Sequence, residues 1–161
     1  MNEIIVIDSR EKPKAITRTI DYFDKHGIKH ISSKMYVGDY QLLSNGLVVI
    51  DRKQNLVEVA NNATKGHERF KRELERLKSI DAKMYILVEE KLDCLEDVQH
   101  WESPRKKDGS PYTKLQGSTL YKILASWQHR HNIEFVFCHK NGTARKILEL
   151  LEVDIHGTDS H

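Results

Sequence analysis

The chain has 161 residues, and its 26 Lys and Arg against 24 Asp and Glu give a formal net charge of +2. This length fits one domain, and interspersed hydrophobic (39%) and charged (31%) residues exclude a disordered chain. Its apolar runs are far shorter than the ~20 residues that span a bilayer. Cys94 and Cys138 form neither a disulfide framework nor a C-x-x-C zinc pair. No basic-then-apolar leader opens the chain, so we expect a soluble, cytoplasmic protein without a membrane partner.

Strands and helices alternate along the chain. A β-branched run predicts a buried strand over residues 3–8, and Pro13 suits the start of a helix that Gly27 ends. The other predicted elements are a strand over 29–34, a hairpin over 38–43 and 47–53, helices over 56–61 and 66–80, a strand over 84–88, a short helix over 93–100, a helix that Ser118 or Thr119 caps, a strand over 133–137 and a helix over 144–151.

This alternation predicts the fold class. Strands that alternate with helices form a mixed, largely parallel α/β sheet covered by helices on both faces. We expect a single domain over residues 1–153 and a C-terminal tail over residues 154–161.

Two basic segments interrupt the otherwise balanced charge. Residues 65–78 carry six basic and three acidic side chains, and residues 101–117 form a long loop around a basic triplet. Either segment suits a polyanion such as DNA, and Trp101 and Tyr112 beside the loop could stack on unpaired bases. The alternatives are a solvated helix face and packed loop anchors. The predicted phosphate contacts are Lys65, Arg69, Lys71, Arg72, Arg105, Lys106 and Lys107.

Polar clusters end three of the predicted strands. The first strand runs into Asp8, Asp39 opens the hairpin, and the second hairpin strand ends in Asp51-Arg52-Lys53. Because side chains alternate along a strand, Asp51 and Lys53 lie on one face and Arg52 on the other. A carboxylate and a lysine so placed suit metal-dependent hydrolysis of phosphodiesters, where the lysine positions or deprotonates the attacking water. Solvated strand ends, with Asp8 capping the next helix, are the structural alternative.

The hairpin register tests whether two carboxylates meet. A three-residue loop Ser44-Asn45-Gly46, with Gly46 left-handed, places Asp39 opposite Asp51. A two-residue Asn45-Gly46 turn would put Asp39 on the wrong face of the sheet. We predict the three-residue loop and a cation shared by the two carboxylates, since otherwise they would repel each other.

Three motifs, in this order and spacing, resemble the XPF-type structure-specific endonuclease domain. They are IDSRE at residues 7–11, VGDY at 37–40 and VIDRK at 49–53. The runs HERFKREL at 67–74 and YILVEE at 85–90 are similar to the helix and strand that follow that family's active site. The resemblance implies a restriction-endonuclease-like nuclease core, strongly over residues 3–90 and more weakly over 118–151.

The same resemblance implies roles for individual residues. The reaction would be attack of water on a DNA phosphodiester, leaving a 5′-phosphate and a 3′-hydroxyl, with Mg²⁺ or Mn²⁺ as cofactor. Asp8, Asp39 and Asp51 match the metal-binding carboxylates. The other implied catalytic residues are Glu11 as a further acid, Lys53 as the catalytic lysine, and Arg10 and Arg52 beside the scissile phosphate.

The chain departs from the family pattern in three respects. Asp51 stands where the family usually has Glu, which shortens the side chain by one methylene. A further family acid falls on Val57, with Glu58 next to it and rotated by about 100° on a helix. The elements predicted after residue 90 leave no room within these 161 residues for the tandem helix-hairpin-helix module with which many members grip branched DNA.

The polar clusters at the strand ends and the resemblance to the XPF-type domain together predict a metal-dependent DNA endonuclease acting on branched, flapped or partly single-stranded DNA. One alternative is a Holliday-junction resolvase acting as a homodimer. The other is a catalytically inactive domain of the same fold that binds DNA or a protein.

Overall fold

The computed structural model describes residues 3–155, so the predicted tail beyond residue 155 and the first two residues lie outside it. It contains six strands and five α-helices. In chain order they are β1 Ile4–Asp8, α1 Pro13–Lys25, β2 Lys29–Ser33, β3 Tyr40–Leu42, β4 Asn45–Lys53, α2 Leu56–Ala63, α3 His67–Ser79, β5 Lys83–Glu89, α4 Gly117–Arg130, β6 Ile133–Cys138 and α5 Thr143–Leu150, with 3₁₀ helices at Leu95–His100 and Lys140–Gly142.

The six strands form one mixed sheet in the order β2-β1-β3-β4-β5-β6. Strands β1 and β2 are parallel, β3 is antiparallel to both β1 and β4, and β4, β5 and β6 are parallel. The carboxyl ends of β1, β4, β5 and β6 therefore lie at one edge of the sheet, together with the start of β3. The predicted mixed α/β class is confirmed.

Helices cover both faces of the sheet. Phe70 and Leu74 of α3 and Leu124 of α4 join the core on one face, with α2 beside them. Phe23 of α1 and Ile147 of α5 join the core on the other face. Each helix buries one apolar side, as expected for helices packed on a sheet. Among residues 3–155, no helix has both the length and the apolar character that a membrane crossing requires.

The hairpin keeps the predicted register at its open end but has a different turn. Tyr40 pairs with Ile50, which is the register of the predicted three-residue loop. Leu42, however, pairs with Asn45, and an irregularity separates the two pairs. The predicted loop was therefore wrong, because β4 already begins at Asn45 and Gly46 does not adopt a positive φ. The irregularity absorbs the difference in length between the two strands.

The N-cap residue of helix α4 lies two residues before Ser118, the earlier of the two predicted caps. Gln116, rather than Ser118 or Thr119, is the N-cap residue, and its side chain makes no capping bond. Gly117 permits this start, since a Cβ there would lie 2.4 Å from the carbonyl oxygen of Val98 and 2.5 Å from that of Trp101. Close packing on the preceding 3₁₀ helix therefore sets the beginning of α4.

Candidate active site

The carboxylates predicted from the sequence lie at one edge of the sheet. Asp8 ends β1, Asp39 directly precedes β3, and Asp51 lies near the end of β4. Asp8 and Asp51 are buried, at 5% and 6% exposure. Alternation along the strands places all three on the face covered by α2, α3 and α4, because their neighbours two residues away in β1 and β4 belong to that core. We call this group the carboxylate edge.

Backbone hydrogen bonds fix Asp39 against β4. Its N–H donates to the carbonyl of Ile50 at 2.7 Å, and its Oδ2 accepts from the N–H of Arg52 at 2.7 Å. Gly38 makes this approach possible: its φ is +78°, and a Cβ there would lie 3.1 Å from Cβ of Val49. The Gly-Asp pair is thus required by the tight entry into β3.

The carboxyl groups of Asp39 and Asp51 meet, as the register argument predicted. Burial raises the pKa of Asp39 well above its usual value, and the adjacent Asp51 raises it further. The half-buried carboxyl group of Asp39 beside the buried one of Asp51 favours either a shared proton or a bound cation. This pair is the electrostatic centre of the site.

Lys53 pairs with Asp51 on the same face. Its Nζ lies 3.1 Å from Oδ2 of Asp51, which makes an ion pair. The geometry is not that of a hydrogen bond, so this buried oxygen has no hydrogen-bond partner among the described residues. Burial alone would lower the pKa of Lys53, but Asp51, Glu73 and Glu58 outweigh it and leave the pKa raised. The acidic neighbours thus favour the charged form of Lys53, which suits it to donate hydrogen bonds.

Asp8 is held by groups on its own side of the edge. Both of its oxygens accept from Nε of Arg10, at 3.2 and 3.0 Å, and Oδ1 also accepts from the N–H of Met35 at 3.0 Å. The alternative that Asp8 caps α1 was wrong, because the N-cap residue is Lys12 and no side chain caps that end. Asp8 thus anchors the segment before β3 and orients Arg10.

Arg52 lies on the opposite face of the sheet, as alternation predicted. Its Nε donates to Oε2 of Glu89 at 3.1 Å, and both side chains are about one-tenth exposed. The hydroxyl of Thr143, the first residue of α5, also donates to Glu89. Arg52 is consequently committed to a buried network between β4, β5 and α5, and its predicted place beside a scissile phosphate stays a prediction.

Two further acids border the carboxylate edge. Burial raises the pKa of Glu11, Arg52 offsets part of the increase, and Asp51, Asp8 and Glu58 add to it. The Oε1 atom of Glu11 is buried without a partner in the described chain. Glu58 accepts from the N–H of Gln54 at 2.9 Å and helps to raise the pKa of Lys53. The acid next to Val57 therefore faces this edge despite the one-residue displacement.

Glu73 belongs to the site and was not among the predicted site residues. It lies on α3, where burial raises its pKa to about 7 and Asp51 contributes further. The positive charges of Lys53, Arg76 and Arg69 lower the pKa of Glu73 and offset part of this increase. A signal was present in the sequence, since Glu73 falls between Phe70 and Leu74 and interrupts the buried side of an amphipathic helix.

The donors at this edge fit a hard divalent cation. Mg²⁺ prefers oxygen ligands and commonly uses only one or two protein carboxylates, keeping several waters. Asp39 and Asp51 supply such a pair, with an unsatisfied buried oxygen on Asp51. Within residues 3–155 no three His, Cys, Asp or Glu side chains form a ready metal-binding group. Metal binding by Asp8, Asp39 and Asp51 together therefore stays a prediction. Asp39 and Asp51 are the pair of carboxylates whose metal binding should be tested first.

The predicted cations of α3 do not all face the site. All of them, and Lys65 before the helix, are exposed. Arg69 contributes to the electrostatics of Glu73 and so lies beside the carboxylate edge. Lys71 is two positions from Glu73, about 200° around the helix, and projects away from it. Arg72 projects between the direction of Glu73 and that of Lys71. Arg76, which was not a predicted DNA contact, acts on Glu73 together with Arg69.

The long loop contains a folded hairpin, which we call the basic hairpin (residues 104–112). An antiparallel bridge joins Arg105 and Pro111, and the N–H of Lys106 donates to the carbonyl of Ser110 at 2.8 Å. The guanidinium of Arg105 closes the turn by donating to the carbonyl of Gly109 at 2.7 Å. The basic triplet thus lies on a hydrogen-bonded turn.

The base of the basic hairpin lies on the active-site side. Its segment leaves the sheet after β5, at the same edge as Asp51, and returns into α4. Trp101 and Leu115, on either side of it, pack against the core that α2, α3 and α4 cover. Trp101 is therefore a packed anchor, whereas Tyr112 is 53% exposed with Nζ of Lys106 5.8 Å from its ring centre.

A mixed α/β sheet with carboxylates and a lysine at the carboxyl ends of its strands is an arrangement expected of a nuclease-type domain. A family model of the ERCC4 domain matches residues 7–150, so this chain belongs to the ERCC4 domain family, a family of nucleases. A search of curated proteins found no match.

Solved structures agree with this assignment at the level of the fold. XPF from Aeropyrum pernix superposes with a TM-score of 0.63 at 20% identity, covering 93% of this chain. XPF from Aeropyrum pernix in complex with DNA gives 0.64 at 19% identity, covering 94%. In both cases this chain accounts for 64% of the length of the matched protein.

Proposed function

We propose that this protein is a divalent-metal-dependent DNA endonuclease that hydrolyses phosphodiester bonds in branched, flapped or partly single-stranded DNA. The observation that carries the proposal is the pair of Asp39 and buried Asp51 with Lys53 beside it. Membership of a nuclease family and the order of the motifs support the same reaction class.

The residues at the carboxylate edge have different roles in the proposed reaction. Asp39 and Asp51 would hold Mg²⁺ or Mn²⁺, which supplies Lewis-acid stabilisation of the phosphate and a nucleophilic water. Lys53, fixed as an ammonium group by its acidic neighbours, donates to a phosphate oxygen as negative charge develops there. Arg10 is oriented by Asp8 while more than half of its side chain stays exposed, so it can meet a phosphate from solvent.

DNA is the proposed substrate because exposed cations border the site. Arg69 of α3 lies beside Glu73, and the basic hairpin rises from the same face and edge of the sheet. Contacts of this kind bind the phosphate backbone without reading base sequence. The matched XPF from Aeropyrum pernix has been solved in complex with DNA, which supports the choice of polymer.

The test is cleavage of labelled duplex, single-stranded, splayed-arm, flap and four-way-junction DNA. Each is incubated with Mg²⁺, Mn²⁺ or chelator, beside Asp51→Asn protein. We expect cleavage that requires the metal and disappears in the variant. Symmetric cutting of the four-way junction by a dimer would favour a resolvase, and binding without any cleavage would indicate an inactive domain.

A further inference from the structure

A second basic surface lies at the same edge of the sheet but on its other face. It is a cleft of about 830 Å³ between α1 and the carboxyl ends of β4, β5 and β6. We call it the α1 cleft. Crevices outside the carboxyl ends of parallel strands are a common position for ligands in α/β folds. The cations that line it are Lys14, Arg18, Arg52, Lys91 and Lys140, against the carboxylates Asp21, Glu89 and Glu90.

The carboxylates of the α1 cleft are mostly engaged, whereas several of its cations are not. Glu89 is bound by Arg52 and Thr143, and Glu90 accepts from the N–H of Leu56 at 2.9 Å. Lys14, Lys91 and Lys140 are exposed, and their ammonium groups make no hydrogen bond or ion pair within residues 3–155. The cleft therefore presents net positive charge on flexible side chains. This pattern suits an extended polyanion, since a small ligand needs a few fixed, convergent polar groups.

We propose that the α1 cleft receives the phosphate backbone of a second DNA arm, while the first arm lies on the active-site face. This inference rests on the proposed endonuclease function and specifies its substrate class. Duplex DNA is stiff, so bending a short continuous duplex around the sheet edge has an elastic cost. A branch point supplies the change of direction around the sheet edge without that elastic cost. The α1 cleft therefore adds to binding only where the DNA arms diverge.

The experiment compares two pairs of lysine substitutions. Lys14→Gln with Lys140→Gln removes two cations of the α1 cleft. Lys25→Gln with Lys29→Gln removes two exposed cations at the opposite edge of the sheet and leaves the net charge identical. Binding of splayed-arm DNA and of linear duplex is measured by fluorescence anisotropy in chelator from 50 to 300 mM salt, so no cleavage is needed.

We expect the cleft pair to bind splayed-arm DNA about tenfold more weakly than the control pair, with equal binding of linear duplex. The slope of log K against log salt should fall by about 1.4–1.8 on splayed-arm DNA, the value for two lost phosphate contacts. Equal behaviour of the two pairs, or equal weakening on both DNAs, would overturn the second-arm assignment. Absence of binding by the unsubstituted protein to every DNA would instead reject the proposed function itself.

Discussion

The N–H of Arg52 donates to Oδ2 of Asp39 at 2.7 Å, which ties the carboxyl group that precedes β3 to the end of β4. Asp39 therefore cannot move away from Asp51 without losing a partly buried hydrogen bond. The backbone holds two repelling carboxylates together before any cation binds, so the site is preformed at a cost in stability. This arrangement has consequences that mutation can measure.

Asp39→Asn should abolish metal-dependent cleavage, with a loss of at least about 10²-fold, and should leave DNA affinity unchanged or raised because negative charge is removed. In chelator the variant should be more stable than the unsubstituted protein, because position 39 no longer carries a negative charge that the carboxylate of Asp51 repels. Cleavage assays, anisotropy and urea unfolding measure the three effects. Equal losses of cleavage and DNA binding would mean that Asp39 has only a structural role.

Lys53→Ala should lower the cleavage rate by about 10²–10³-fold, the range for removal of one donor that stabilises developing charge. The concentration of Mg²⁺ that gives half-maximal rate should stay the same or fall, because Asp51 loses a competing cation. Since its acidic neighbours raise the pKa of Lys53, the rate of the unsubstituted protein should not decline between pH 8 and 9.5 through this group. A rate that rises with pH over this range, and that Lys53→Arg makes independent of pH, would instead assign Lys53 as the base.

Glu73 should make the metal-free protein less stable as the pH rises. The unfolded chain loses this proton near pH 4.5 and the folded protein near pH 7. The stabilisation that the bound proton provides is therefore complete below pH 4.5 and disappears as the pH rises towards 7. Thermal unfolding in chelator from pH 5 to 8 should show Glu73→Gln gaining stability over the unsubstituted protein with increasing pH. Parallel curves would contradict the raised pKa.

Replacing Arg105, Lys106 and Lys107 together with Ala should weaken DNA binding and flatten its salt dependence, by up to about 0.9 in slope per lost contact. The substitution removes the bond from the Arg105 guanidinium to Gly109, but the basic hairpin should stay folded because the bond from Lys106 to Ser110 and the bridge to Pro111 are made by the backbone. Anisotropy at several salt concentrations gives the slope, and circular dichroism checks folding. An unchanged affinity and slope would remove the basic hairpin from the DNA-binding surface.

Gly117→Ala should destabilise the protein by at least about 1–3 kcal/mol, because its Cβ would approach the backbone oxygens of Val98 and Trp101 to within 2.5 Å. Gly142→Ala is the matched control, since a Cβ there meets nothing within 4 Å and its φ is −106°. Urea unfolding should separate the two variants clearly. Similar stability of both would show that the 3₁₀ helix and α4 can move apart freely.

The sequence alone determined the order of elements and the face on which each strand residue lies. Alternation placed Asp51 and Lys53 together and Arg52 apart, and the pairing of Tyr40 with Ile50 agrees with the predicted register at the active-site end of the hairpin. These properties follow from local geometry, with a period of two in strands and an apolar stripe in helices, so they are readable from a single chain.

Only the tertiary structure decided the position of the hairpin turn and the partners of the site residues, because both depend on contacts between segments that are distant in the chain. The irregularity between Tyr40 and Leu42 moved the turn although the register near Asp39 was right. Glu73 joined the site because α3 packs on the same face of the sheet as the carboxylates. The long loop proved to contain the basic hairpin, which backbone hydrogen bonds hold. The partner of Arg52 is 37 positions along the chain, in a strand that pairing alone brings beside β4. Local patterns encode which way a side chain points, whereas packing decides what it meets.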